Sequence, residues 1–122
     1  MYKIIVNDYF SSAHQLRGYK GKCEDLHGHN WKVEIDVEGQ KLDEIGMLID
    51  FKIIQEILKN SLADFDHKML NDIPPFDAMN PSSENLAKFM FERISSLLPL
   101  GIRLAAISIW ESDNSKATYY PD

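Results

Sequence analysis

Cysteine is almost absent from this chain of 122 residues: one, Cys23, stands beside four histidines. A lone thiol cannot close an internal disulfide, so a bridge-stapled secreted scaffold is excluded and a reducing compartment is expected. Long apolar runs are absent as well. No stretch approaches the roughly 18 residues a membrane-spanning helix needs, and the N-terminal MYKIIVNDYF lacks the apolar core of a signal peptide. Basic residues are the minority, 13 Lys+Arg against 19 Asp+Glu, for a net charge of −6. Non-specific nucleic-acid binding relies on the opposite balance. No Gly-rich dinucleotide motif, solenoid-period repeat or low-complexity tract occurs. With 44% hydrophobic and 26% charged residues, the composition is that of an ordinary globular chain. These absences leave a cytoplasmic protein of one domain, 1–122, with neither nucleic acid nor membrane as partner.

What is present has two periods. Residues 2–10 (YKIIVNDYF) are β-rich, and in 29–39 Trp31, Val33, Ile35 and Val37 alternate with Lys32, Glu34, Asp36 and Glu38. A period of two marks a strand with one buried and one wet face. The polar segment 17–26, which contains Gly18 and Gly21, reads as a long functional connection between two antiparallel strands. From Phe51 the period becomes helical: Phe51, Ile54, Ile57, Leu58 and Leu62, with Asp50 placed as an N-cap. A second helix carries Leu86, Phe89, Met90, Ile94 and Leu97, capped by Ser82 or Ser83 and stopped by Pro99 and Gly101. Segments 103–110 and 116–120 return to β character around a turn at Asp113, Asn114 and Ser115. The order ββααββ predicts an α+β domain, with two helices on one face of a four-stranded antiparallel sheet. Such a sheet has two open edges, so oligomerisation by edge pairing or barrel closure is expected.

The chemistry concentrates in Cys23-Glu24-Asp25-Leu26-His27-Gly28-His29. Residues i and i+2 of a strand share a face, so His27 and His29 can present two imidazoles side by side, with Gly28 leaving the opposite face bare. His14, ending the first β segment, supplies a third if the strands pair. Three histidines with an open fourth position form the pattern of a catalytic zinc site, although hydrogen-bonded surface histidines share the same spacing. Cys23 admits three readings: a buried small side chain, a fourth ligand closing a structural site, or a reactive thiolate near the metal. The charged, glycine-containing loop and the absence of a second cysteine favour the thiolate. Asp66 beside His67 reads either as a carboxylate orienting an imidazole or as a histidine favoured by a helix C-terminus. Glu111 alternates with Ile107 and Ile109, so its carboxylate faces the buried side and needs a partner such as an N–C–N edge with two donors, unless it reaches water at the strand end. Arg17, Lys20 and Lys22 form a local basic patch suited to phosphate groups, or simply a solvated loop.

Six ordered segments carry a likeness over essentially the whole chain: FSSAHQL (10–16), CEDLHGHNW (23–31), GMLIDF (46–51), FDHKMLN (65–71), NPSSENLA (80–87) and WES…ATY (110–119). They resemble the 6-pyruvoyltetrahydropterin synthase superfamily, and within it the 6-carboxytetrahydropterin synthase branch of queuosine biosynthesis. The resemblance implies zinc held by His14, His27 and His29, Cys23 as the proton-abstracting base, and assistance from Asp66 with His67. It implies that Glu111 anchors the pterin ring and couples to the proton relay. The C-x3-H-G-H spacing looks like that of the carboxytetrahydropterin branch. Ser82 and Ser112 stand where threonine is common, and both keep the hydroxyl. The implied activity is a lyase converting 7,8-dihydroneopterin triphosphate to 6-carboxy-5,6,7,8-tetrahydropterin, acetaldehyde and triphosphate. The implied assembly is a tunnelling fold, with sheets of several subunits closed into a β-barrel as a hexamer of two trimers. Two other outcomes compete: triphosphate elimination to 6-pyruvoyltetrahydropterin, and a non-catalytic zinc-stabilised assembly module with Cys23 as fourth ligand.

Overall fold

In the computed structural model, which describes residues 1–18 and 25–122, two long strands dominate: β1 (Tyr2–His14) and β2 (His27–Gly39). They pair antiparallel without a register break, from Tyr2 opposite Gly39 to His14 opposite His27. The alternation that predicts β2 is realised: Trp31, Val33, Ile35 and Val37 are all fully buried. β4 (Arg103–Ser112) pairs with β2 and β5 (Ser115–Tyr119) with β4, both antiparallel.

Among the described residues the expected four-stranded antiparallel sheet becomes a mixed sheet of five, in which a short strand β3 (Lys68–Met69) sets the order β3-β1-β2-β4-β5. The additional strand β3 is only Lys68–Met69, parallel to Ser12 and Ala13 of β1, and its edge position is fixed by the Ser12 hydroxyl donating to the Lys68 carbonyl. Two residues carry no periodicity, so nothing in the sequence marks them. The α+β class and the helices on one face hold.

Helix α1 (Phe51–Leu62) opens as its sequence predicts, with Asp50 accepting from the Lys52 amide at 2.9 Å. It packs on β1 and buries Ile54, Leu58 and Leu62, while Phe51 stays 54% exposed. Helix α2 (Ser83–Ile94) is capped by Ser82, whose hydroxyl accepts from the Asn85 amide, and it packs on β4 and β5. It ends at Ile94, short of the expected Leu97, which is half exposed; Gly101 then turns the chain with a φ of +88°. Phe10, Trp31, Phe65, Phe76 and Met90 fill the space between sheet and helices. Burying side chains of this size stabilises by about 1.5–3 kcal/mol each. Among the described residues, no helix is long and apolar enough to cross a membrane.

Candidate metal centre

The β1–β2 ladder ends where the histidines are. His14 closes β1 and lies opposite His27, while His29 lies opposite Ser12, so all three rings project from the core face at one end of the sheet. Among the described residues Gly28 is not required for room, since a Cβ there would meet only the Ser12 carbonyl, at 3.9 Å. The rings stand edge to face, with centroids 4.4 Å apart for His27 and His29 and 4.5 Å for His14 and His27. Trp31 forms the floor, its ring edge-on to His14 and His29, and its indole N–H donates to the Ser12 carbonyl.

Glu111 completes the group. Its Oε1 lies 3.0 Å from His14 Nε2, 3.0 Å from His29 Nε2 and 3.4 Å from His27 Nε2. The register explains its arrival: Ile107 and Ile109 of β4 face Ile35 and Val33 of β2, and the next residue on that face is Glu111. The alternation in the sequence places Glu111 on the buried face; the strand pairing that joins it to the histidines is not visible there.

The hydrogen bonds on the far sides of the rings fix their chemistry. His14 Nδ1 donates to the Pro81 carbonyl and His27 Nδ1 to the Asp25 carbonyl, each at 2.8 Å. A carbonyl can only accept, so both Nδ1 atoms carry the proton and each neutral ring turns the lone pair of Nε2 inward. These Nε2 atoms are 3.0 Å apart. Among the described residues, His29 Nε2 is buried and finds no hydrogen bond of proper geometry, even to Glu111. The acceptor atoms of His14, His27 and Glu111, facing one another, need positive charge among them, and a metal ion would meet these three and His29 Nε2 at once. The four donor atoms lie within 4.8 Å of one another, so His14, His27, His29 and Glu111 could hold such an ion. Burial lowers the pKa of His29 and the other two histidines lower it further, against the pull of Glu111. Burial pushes the Glu111 carboxyl up, but the hydrogen bond from His27 and the charges of His14 and His29, present whenever these rings are protonated, outweigh it, and its pKa is lowered. Both shifts favour the forms that bind a cation.

Asp66 and His67 meet each other but not this group. Asp66 Oδ2 lies 3.1 Å from His67 Nδ1, and its Oδ1 accepts from the Ser11 amide at 2.8 Å. The Ser11 bond, joined by His67, holds the carboxyl below the usual range against the opposing effect of burial. His67 takes a left-handed φ of +57° and returns its own amide to the Ser11 carbonyl, so the pair borders the outer edge of β1 with the imidazole 80% exposed. Arg17, expected to meet phosphate, turns its guanidinium onto the carbonyls of Phe76 and Met79. Cys23, Lys20 and Lys22 lie outside the described residues. Pro81 and Asp25 contribute through backbone carbonyls, which no side-chain pattern announces.

Comparison with known proteins fits this arrangement. The family model of 6-pyruvoyl tetrahydropterin synthase matches residues 3–122. A provisionally named 6-carboxy-5,6,7,8-tetrahydropterin synthase of Archaeoglobus fulgidus is 35% identical, over 93% of this chain and 91% of its own. A dihydroneopterin monophosphate aldolase of Pyrococcus furiosus is 32% identical, over 91% and 90%. The structure of 6-pyruvoyl tetrahydropterin synthase from Caenorhabditis elegans superposes with a TM-score of 0.86 at 28% identity, covering 99% of this chain and 96% of that one. A match across nearly every residue, in sequence and in fold, places the chain in the 6-pyruvoyl tetrahydropterin synthase family.

Proposed function

We propose that the chain is a zinc-dependent 6-carboxytetrahydropterin synthase: it converts 7,8-dihydroneopterin triphosphate and water to 6-carboxy-5,6,7,8-tetrahydropterin, acetaldehyde and triphosphate, on the route to the 7-deazaguanine of queuosine. The observation that carries the reading is the convergence of three imidazole Nε2 atoms on one point, with the Glu111 carboxylate beside them and able to turn to the substrate. Zinc–nitrogen bonds of about 2.0–2.1 Å in a tetrahedron set neighbouring donors about 3.3–3.4 Å apart. The close separations here, 3.0 to 3.4 Å, are of that order. Bound zinc supplies Lewis acidity that lowers the pKa of side-chain hydroxyls on the substrate.

The protein's own groups divide the remaining work. Cys23, as thiolate, takes a proton from the substrate side chain. Asp66, anchored by the Ser11 amide, orients His67 to move the second proton. Glu111, held ionised, accepts from the N–C–N edge of the pterin ring. His67 meets solvent at the outer edge of β1, which fits a homo-oligomer in which the Asp66–His67 pair of one copy serves the centre of another. Lys20 and Lys22 remain the candidates for the triphosphate, Arg17 being engaged with the 76–79 carbonyls.

The C-x3-H-G-H spacing and the Archaeoglobus relative support the carboxy product, while the other two relatives carry names for different outcomes. Incubation of the zinc-loaded protein with dihydroneopterin triphosphate, followed by mass analysis, decides among them. Carboxytetrahydropterin with acetaldehyde is the expected result. A pyruvoyl product, or a side chain cleaved without ring reduction, reassigns the reaction within the family. No turnover by the wild-type protein removes the reaction, and loss of zinc from a Cys23→Ala variant would favour the reading of Cys23 as a structural ligand.

A further inference from the structure

Two segments singled out in the sequence carry a terminal asparagine to which no chemistry is assigned: FDHKMLN ends in Asn71, and NPSSENLA begins with Asn80. In the structure each clamps the backbone just beyond His14. Asn71 Oδ1 accepts from the Gln15 amide and its Nδ2 donates to the Gln15 carbonyl, both at 2.8 Å. Asn80 does the same to Arg17, at 2.8 and 2.9 Å. A side-chain amide carries one acceptor and two donors in a plane, so it stands in for a neighbouring strand where the sheet has ended. Gln15 and Arg17 follow the last rung of the β1–β2 ladder, so without the asparagines their half-buried backbone groups would have no such partner.

The clamp reaches the metal centre through Pro81. Pro81 follows Asn80 directly, and its carbonyl receives His14 Nδ1. The position of that carbonyl is fixed from both sides: Asn80 is tied to Arg17, and its own carbonyl accepts from Asn85 Nδ2 in the first turn of α2 at 2.8 Å. Asn71, at the other end of the 71–81 connector that leads to α2, holds Gln15, the residue after His14. The imidazole of His14, 1% exposed, therefore takes its tautomer and its direction from a connector that cannot slide along the chain it grips.

We infer that Asn71 and Asn80 are positioning residues of the metal centre, holding His14 as the Nδ1–H tautomer with its Nε2 lone pair aimed at the ion. The inference rests on the reading of His14 as a ligand. It is tested first without metal, by nitrogen NMR of the imidazoles at pH 8 in the full chain and in Asn71→Ala and Asn80→Ala. The wild-type His14 signal should be that of the Nδ1–H form, with the Nε2–H form rising in both variants. Zinc affinity, from competition with a chromophoric chelator, should fall tenfold or more, as loss of a partner behind a ligand typically does. In a His14→Ala background the same substitutions should no longer change affinity, because their effect passes through His14. If either alanine variant fails to fold, Asn80→Asp decides, since it keeps the acceptor for the Arg17 amide and loses the donors. An unchanged His14 tautomer with zinc affinity within twofold of wild type, in variants with native circular dichroism, overturns the inference. A wild-type chain that binds no zinc sinks the metal reading alone, and the tautomer comparison still decides the clamp.

Discussion

At the scale of single residues, removing a ligand and removing a proton carrier should have separable effects. Cys23→Ala is expected to keep one zinc per chain and the same oligomer while turnover falls by two or more orders of magnitude, the usual loss with a general base. Metal analysis beside a single-turnover assay reads both, and loss of the zinc would make Cys23 a ligand instead. The three histidines were legible because H-x-H on a strand fixes a shared face, and because a third histidine closes the preceding strand. Glu111 was legible only by half. Its alternation with Ile107 and Ile109 gives the face, but its meeting with His14 across 97 positions depends on β4 pairing with β2, which local pattern cannot fix. The carbonyls of Pro81 and Asp25, and the side-chain clamps of Asn71 and Asn80, depend on where loops cross; their residue types say nothing about it.

At the scale of elements, the central strand carries a strain of its own. The open face of β2 bears Glu34, Asp36 and Glu38, with Lys3 4.0 Å from Asp36 and Lys116 3.7 Å from Glu34. Burial pushes the Asp36 carboxyl up, Glu34 adds to it, and the two lysines only partly oppose. A carboxyl whose folded pKa lies above its unfolded value destabilises the fold once ionised, and that penalty vanishes below the unfolded value near 3.8. Asp36→Asn is therefore expected to raise the melting temperature at pH 7 by roughly 2–4 °C and to have no effect near pH 3. Thermal melts at the two pH values check it, and a loss of stability at pH 7 would show that the pair with Lys3 outweighs burial. The helices and four long strands were readable because each has a clear period and a cap or turn. The two-residue β3 was not, since its place depends on the left-handed turn at His67 and on bonds to Ser11 and Ser12.

At the scale of the whole molecule, a site gathered from β1, β2 and β4 exists only in the folded chain, so metal binding and folding are linked. Zinc at a hundred times its dissociation constant should add about 2.7 kcal/mol of stability. For a chain of this size that raises the melting temperature by roughly 10 °C. A chelator should return it to the metal-free value, and identical melts with and without zinc would count against the centre. The thirteen unbroken rungs between β1 and β2 have an evolutionary consequence. One residue inserted within either strand would turn His14, or His27 and His29, to the opposite face. Length changes in these strands are thus confined to even steps or to compensating bulges, while the connection between them is free to lengthen. Among descendants of such a chain, growth is expected between His14 and His27 and almost nowhere else along this hairpin.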